Sequence, residues 1–126
     1  MRRPERVADM LREEIAQIVG YELTDPRLTM VTVTDVRMSD NLRDAKVYVM
    51  VTGSEEEIKA AMKGLEHAAA YVRKQVGFAL SLRHTPEIHF VRDTVEEKGA
   101  RVDELLIEID RQRQTSEASE NRKDEG

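Results

Sequence analysis

The feature that most constrains this chain is one apolar stripe. Ile58, Met62, Leu65, Ala69, Val72, Val76 and Leu80 recur every three or four residues, the period of a single helix face. Ser54 with Glu57 three residues later reads as a capping box at its start: the hydroxyl takes one free helix N–H while the carboxylate reaches back. A helix over 55–80 spans about 39 Å at about 1.5 Å per residue. A small sheet with strands near 20 Å covers only about half of that. Left straight, the remainder projects Val72, Val76 and Leu80 into water and forfeits roughly 1.5–3 kcal/mol for each buried side chain. Interrupting the helix costs a few hydrogen bonds at about 0.5–1.5 kcal/mol each. The sequence therefore predicts a bend between His67 and Tyr71, although the alanines Ala68, Ala69 and Ala70 favour continuous helix.

Few other segments can build the rest. Residues 4–23 read as an amphipathic helix with Val7, Leu11, Ile15, Ile18 and Val19 on one face. Pro4 suits its first turn, and Asp25 before Pro26 ends it. Val31 and Val33 alternate with threonines, and Val36 and Met38 then continue in the opposite phase, which places a bulge near Asp35. Ser39-Asp40-Asn41 is turn chemistry. Ala45, Val47, Val49 and Val51 share a face, with Lys46, Tyr48 and Met50 on the other, so the pair reads as a half-buried hairpin. Pro86 opens a last strand with Ile88 and Phe90 inward and Glu87 and His89 outward. Val102, Leu105, Leu106 and Ile109 point to a short closing helix over 101–111, and 114–126 reads as a disordered polar tail. The domain thus runs over 1–113. With three strands, helices must cover one face of a small α+β sheet.

Composition narrows the function. The chain has 126 residues, enough for one core, and no Cys, which excludes disulfides and cysteine metal sites and fits a reducing compartment. No apolar run follows Arg2 and Arg3, and none reaches membrane-spanning length. A cytoplasmic protein without membrane contact is expected. There is no phosphate loop, no HExxH, no serine elbow and no zinc pattern. His67, His84 and His89 read as surface histidines, and the acidic clusters as solvated helix faces. No enzyme activity, no cofactor, no metal and no small-molecule substrate are expected.

Charge distribution says more than its total. The chain carries −5, of which the segment from Gln114 holds four acids and two bases, leaving −3 for residues 1–113. Within that acidic body, the stretch 71–92 holds Arg73, Lys74, Arg83 and Arg92 against Glu87 alone. A local basic stripe suits one RNA site better than RNA in general. Arg2, Arg3 and Arg6 stand where a helix N-terminus is already positive, a small cost to the helix but a good phosphate site. The candidate RNA-binding residues are these three with Lys46, Arg73, Lys74, Arg83, His84 and Arg92. The small residues Ala68, Ala69 and Ala70 would let another backbone approach, although three alanines more often mean plain helix.

Several blocks in order resemble one family. Val31-Thr-Val-Thr-Asp-Val36 with Asp44-Ala-Lys-Val-Tyr-Val49, then Ala68 through Gly77, then the run from Leu80 to Phe90, and Arg101-Val-Asp-Glu-Leu-Leu106 resemble ribosome-binding factor A, over roughly 2–110. The resemblance implies a type II KH fold in the order α-β-β-α-α-β, with a helix-kink-helix in place of the GXXG loop by which KH modules clamp RNA. The family's kink is usually Ala-x-Gly; here Ala70 replaces the glycine. It further implies a non-catalytic factor that binds the free 30S subunit, assists late maturation and 5′-end processing of 16S rRNA, and supports growth in the cold, acting here as a monomer. Two rival readings are a KH-like single-stranded RNA module without ribosome specificity, and a protein-only adaptor using exposed Tyr48 and Met50.

Overall fold

The computed structural model describes residues 3–94 and Arg113. Arg2, the expected closing helix over 101–111 and the polar tail over 114–126 lie outside the described residues. Helix α1, Arg3–Gln17, buries Ala8, Leu11 and Ile15 and carries Pro4 in its first turn. The chain then widens into a turn of π-helix, Ile18–Glu22, closed by the Leu23 N–H on the Ile18 carbonyl at 3.0 Å. That wider turn keeps both Ile18 and Val19 in the core. Asp25 is extended, as a residue before proline should be, and its carboxylate accepts the Arg27 N–H at 2.9 Å to start a 3-10 turn, Pro26–Leu28.

Strand β1, Val31–Met38, pairs antiparallel with β2, Asp44–Val51. Val33 lies opposite Val49, the register then slips before Asp35, and Val36 lies opposite Val47. The bulge therefore sits where the apolar phase changes, and it returns Val36 and Met38 to the core face. Strand β3, Glu87–Arg92, adds to the far side of β2 in parallel, for a sheet order β1-β2-β3. Parallel neighbours need a crossover, and α2, Glu55–Leu80, supplies it. Both sides of its capping box are made: the Ser54 hydroxyl accepts the Glu57 N–H at 3.2 Å, and the Glu57 carboxylate accepts the Ser54 N–H at 3.0 Å. Helix α1 packs on β1, α2 on β3, and the two helices touch, closing one core over Ala45, Val47, Val49 and Val51. This is the α+β, KH-like architecture, with helices on one face of a three-stranded sheet.

Two expectations are corrected. Helix α2 runs without interruption from Glu55 to Leu80, so the break expected at Ala68-Ala69-Ala70 is absent and one helix fills the place of two. The premise that the distal half would overhang in water does not hold. Val72 and Val76 are fully buried in the uninterrupted helix, because α1 packs beside it and the return over 81–86 folds back on it. The Arg73 guanidinium donates to the Thr85 carbonyl at 3.0 and 3.3 Å, and Gly77 leaves room for the Thr85 hydroxyl. With burial available to a continuous helix, alanine propensity is unopposed. The helix ends only at Ser81, whose φ of 50° is left-handed.

The second correction concerns β2. Its outer face is not a solvated one: Lys46 is 6% exposed and Tyr48 2%, and only Met50 stands in water. As the middle strand, β2 is flanked on both edges. The Lys46 ammonium lies over the Tyr48 ring, 4.8 Å from its centroid, where a cation and an aromatic face attract each other. Tyr48 is therefore not available to the adaptor reading.

Candidate nucleic-acid interface

The turn between β1 and β2 sets the first half of the site. Leu42 takes a left-handed φ of 62°, the Asn41 side chain accepts the Arg43 N–H at 3.1 Å, and the Ser39 hydroxyl accepts the Asp44 N–H at 3.1 Å. These contacts turn Arg43 outward and Asp44 inward. The return over 81–86 and the start of α1 supply the other half. Together they form a groove of about 720 Å³, whose charged lining comprises, among the described residues, Arg3, Arg43, Arg73, Arg83 and Arg113, with Glu87 as the one acid. His84 also faces it. Arg73 is held at the wall by the Thr85 carbonyl and lies 3.7 Å from Glu87. Among the described residues, no carboxylate pairs with Arg3, Arg43 or Arg83, so three guanidinium forks are left to meet phosphate oxygens.

Of the residues chosen from sequence, Arg3, Arg73, Arg83 and His84 therefore converge. Lys74 lines an adjoining hollow with Arg73, Arg83 and His84, together with Glu66 and Glu87. Arg6 is exposed on α1 but does not line the groove. Arg92 lies apart, 3.8 Å from Glu55 at the other end of α2. Lys46 is buried and leaves the surface set. Ala68 packs toward the core, whereas Ala70 is exposed and Ala69 and Ala70 line the hollow beside Lys74.

Sequence reasoning missed Arg43, a lone arginine in a turn, and Asp44 beside it. Asp44 is fully buried, its carboxylate accepting from Arg113 at 2.7 and 2.9 Å and paired with His89 Nε2 at 3.0 Å. Burial is the largest single influence on this carboxyl and pushes its pKa up. The hydrogen bonds and charges of Arg113 and His89 together outweigh it and hold the group below its ordinary value. His89, expected on a solvated face, is thus half-buried and engaged. Among the described residues, no cluster of three or more His, Asp or Glu side chains is arranged to hold a metal, and no helix is long and apolar enough to cross a membrane.

A basic groove on an acidic KH-like body finds its match in the comparison with known proteins. The family model of ribosome-binding factor A covers residues 3–106. The chain belongs to that family. The ribosome-binding factor A of Acetivibrio thermocellus is 42% identical over 122 residues, which cover 96% of this chain and 99% of the relative. The crystal structure of ribosome-binding factor A from Thermus thermophilus superposes with a TM-score of 0.63 at 26% identity, covering 71% of this chain and 94% of that one. Coordinates of the T. thermophilus factor fitted into the cryo-EM map of a 30S–factor complex superpose with a TM-score of 0.58 at 27% identity, covering 67% and 88%. The family is one of binding factors rather than of catalysts.

Proposed function

We propose that this chain binds the free small ribosomal subunit in the cytoplasm, as a monomer, and assists late maturation of its rRNA, including 5′-end processing. The carrying observation is the groove: five arginines drawn from α1, the β1–β2 turn, α2, the return over 81–86 and Arg113 converge on one surface of a chain whose net charge is −5. Such an arrangement repels polyanions in general and accepts them at one place. Membership of the ribosome-binding factor A family and likeness to the Thermus factor fitted into a 30S complex support the small subunit as the polyanion. Arg3, Arg43, Arg73, Lys74, Arg83 and His84 are the phosphate contacts in this reading. Arg6 extends them along α1, and Arg92 is a separate contact at the far end of α2.

Sedimentation through a sucrose gradient tests it. The protein co-migrates with free small subunits and not with large ones. Arg43→Glu and Arg83→Glu together weaken that association, and the affinity of the double variant falls less steeply with salt, because each lost phosphate contact lowers the slope of log affinity against log salt by about 0.7–0.9. Small-subunit binding indifferent to both reversals would remove the groove from the proposal. A protein that stays at the top of the gradient would remove the ribosome.

A further inference from the structure

The chain has five aromatic side chains, and three of them stand in water: Tyr21 is 89% exposed, Phe78 71% and Tyr71 45%. Large apolar side chains left outside a core that has so few rings call for a reason. Tyr71 and Phe78 share a stripe of α2 with His67 and Lys74. His67, Lys74 and Phe78 each follow a core residue (Leu65, Val72 and Val76) by two positions, about 200° round the helix, so the stripe faces away from the sheet. From His67 to Pro86 the sequence contains no acid. Lys74 and Ala70 also line a hollow with Arg73 and Arg83, which Glu66 and Glu87 line too, so the stripe adjoins the arginine groove through Lys74.

We propose that this outer face of α2 is a stacking platform for unpaired nucleobases: Tyr71 and Phe78 each take a base, and Lys74 between them takes the connecting phosphates. The inference rests on the small-subunit reading and names the kind of rRNA that the surface takes, a single strand leaving the arginine groove. The two rings are seven residues apart, about 10.5 Å along the axis, too far to grip one base and suited to two splayed ones. A ring, a cation and a second ring without an acid among them match a polyanion with flat apolar bases. A protein helix would instead look for a contiguous aliphatic surface, which this stripe lacks. Because every base has a π-face, recognition here is tolerant of sequence.

The test uses the full-length protein with two probes, free small subunits and a fluorescent single-stranded oligoadenylate of about twelve nucleotides, long enough for both rings and the groove. Tyr71→Leu and Phe78→Leu keep apolar bulk and remove the π-face, and both sites are exposed enough for the melting midpoint to stay unchanged. Each weakens binding to both probes by about tenfold or more. Phe78→Trp retains binding, and because the chain has no other Trp, its fluorescence reports stacking directly as quenching by the oligonucleotide. Leucine variants with wild-type affinity for oligoadenylate overturn the platform. So does loss of subunit binding in alanine variants but not leucine variants, which identifies an apolar protein contact on this face. Quenching of Phe78→Trp by oligoadenylate in a protein that fails to sediment with small subunits refutes the ribosome reading and leaves the platform standing.

Discussion

Arg113→Met removes the guanidinium from a fully buried carboxylate while keeping an apolar stem of similar length. In the wild type, Asp44 has no exposed side-chain surface, and Arg113 meets both of its oxygens at 2.7 and 2.9 Å. Breaking a buried pair by deleting one partner costs about 3–5 kcal/mol. Two features lower that here. The Arg113 side chain is 26% exposed, so its charge is not fully desolvated, and His89 still pairs with Asp44 at 3.0 Å. The expected loss is about 2–3 kcal/mol at neutral pH, read by urea unfolding followed by circular dichroism. The pH dependence has a definite sign. The folded pKa of Asp44 is lowered, so its contribution is complete above the unfolded value of about 3.9 and is lost as pH falls through the folded value. The gap between wild type and variant should be largest near neutral pH and shrink as pH falls, because without Arg113 burial favours the protonated Asp44 in the folded variant. A loss under about 0.5 kcal/mol at pH 7, or a gap that widens in acid, would refute the anchoring role of this pair.

Three further outcomes follow from the fold. Ala70→Gly lies in the exposed middle of an uninterrupted helix and should lower stability by about 1 kcal/mol in the same unfolding assay, whereas a neutral result would indicate a bend at that point. Ser54→Ala removes the hydroxyl half of the capping box and should cost about 1 kcal/mol, and Glu57→Ala in the Ser54→Ala background should lower stability further, because the backbone N–H of residue 54 then loses its carboxylate acceptor. Truncation after Arg113 removes a segment with no apolar side chain larger than Ala118 and should leave the thermal midpoint within a degree or two, as measured by calorimetry.

Much of the fold was legible because local signals agreed with the final packing. The slip between Val33 and Asp35 could be read from a change of apolar phase, since a strand that must bury one face needs an extra residue to recover it. Ser54 and Glu57 marked the start of α2 because their contacts lie within one turn. Three of the arginines chosen from sequence, with His84, came together since the return over 81–86 brings their segments into one groove. The uninterrupted course of α2 escaped the reading. Whether Val72 and Val76 meet water depends on α1 lying alongside, and no residue of α2 encodes that neighbour.

What the sequence determined by itself was therefore the kind of most elements and their order: an amphipathic first helix, a bulged hairpin, a capped helical region after it and a last strand, each set by contacts between residues close in the chain. Tertiary structure alone decided which polar residues are inside. Lys46 looked solvated because alternation describes one face at a time; in the fold it is 6% exposed, its ammonium lying over the buried Tyr48 ring. Asp44 looked like an ordinary charged neighbour of Arg43. Its burial depends on His89, 45 residues away, and Arg113, 69 residues away. A charge can enter a core only with its partners, and partners that distant are brought together by the fold and not by any local pattern.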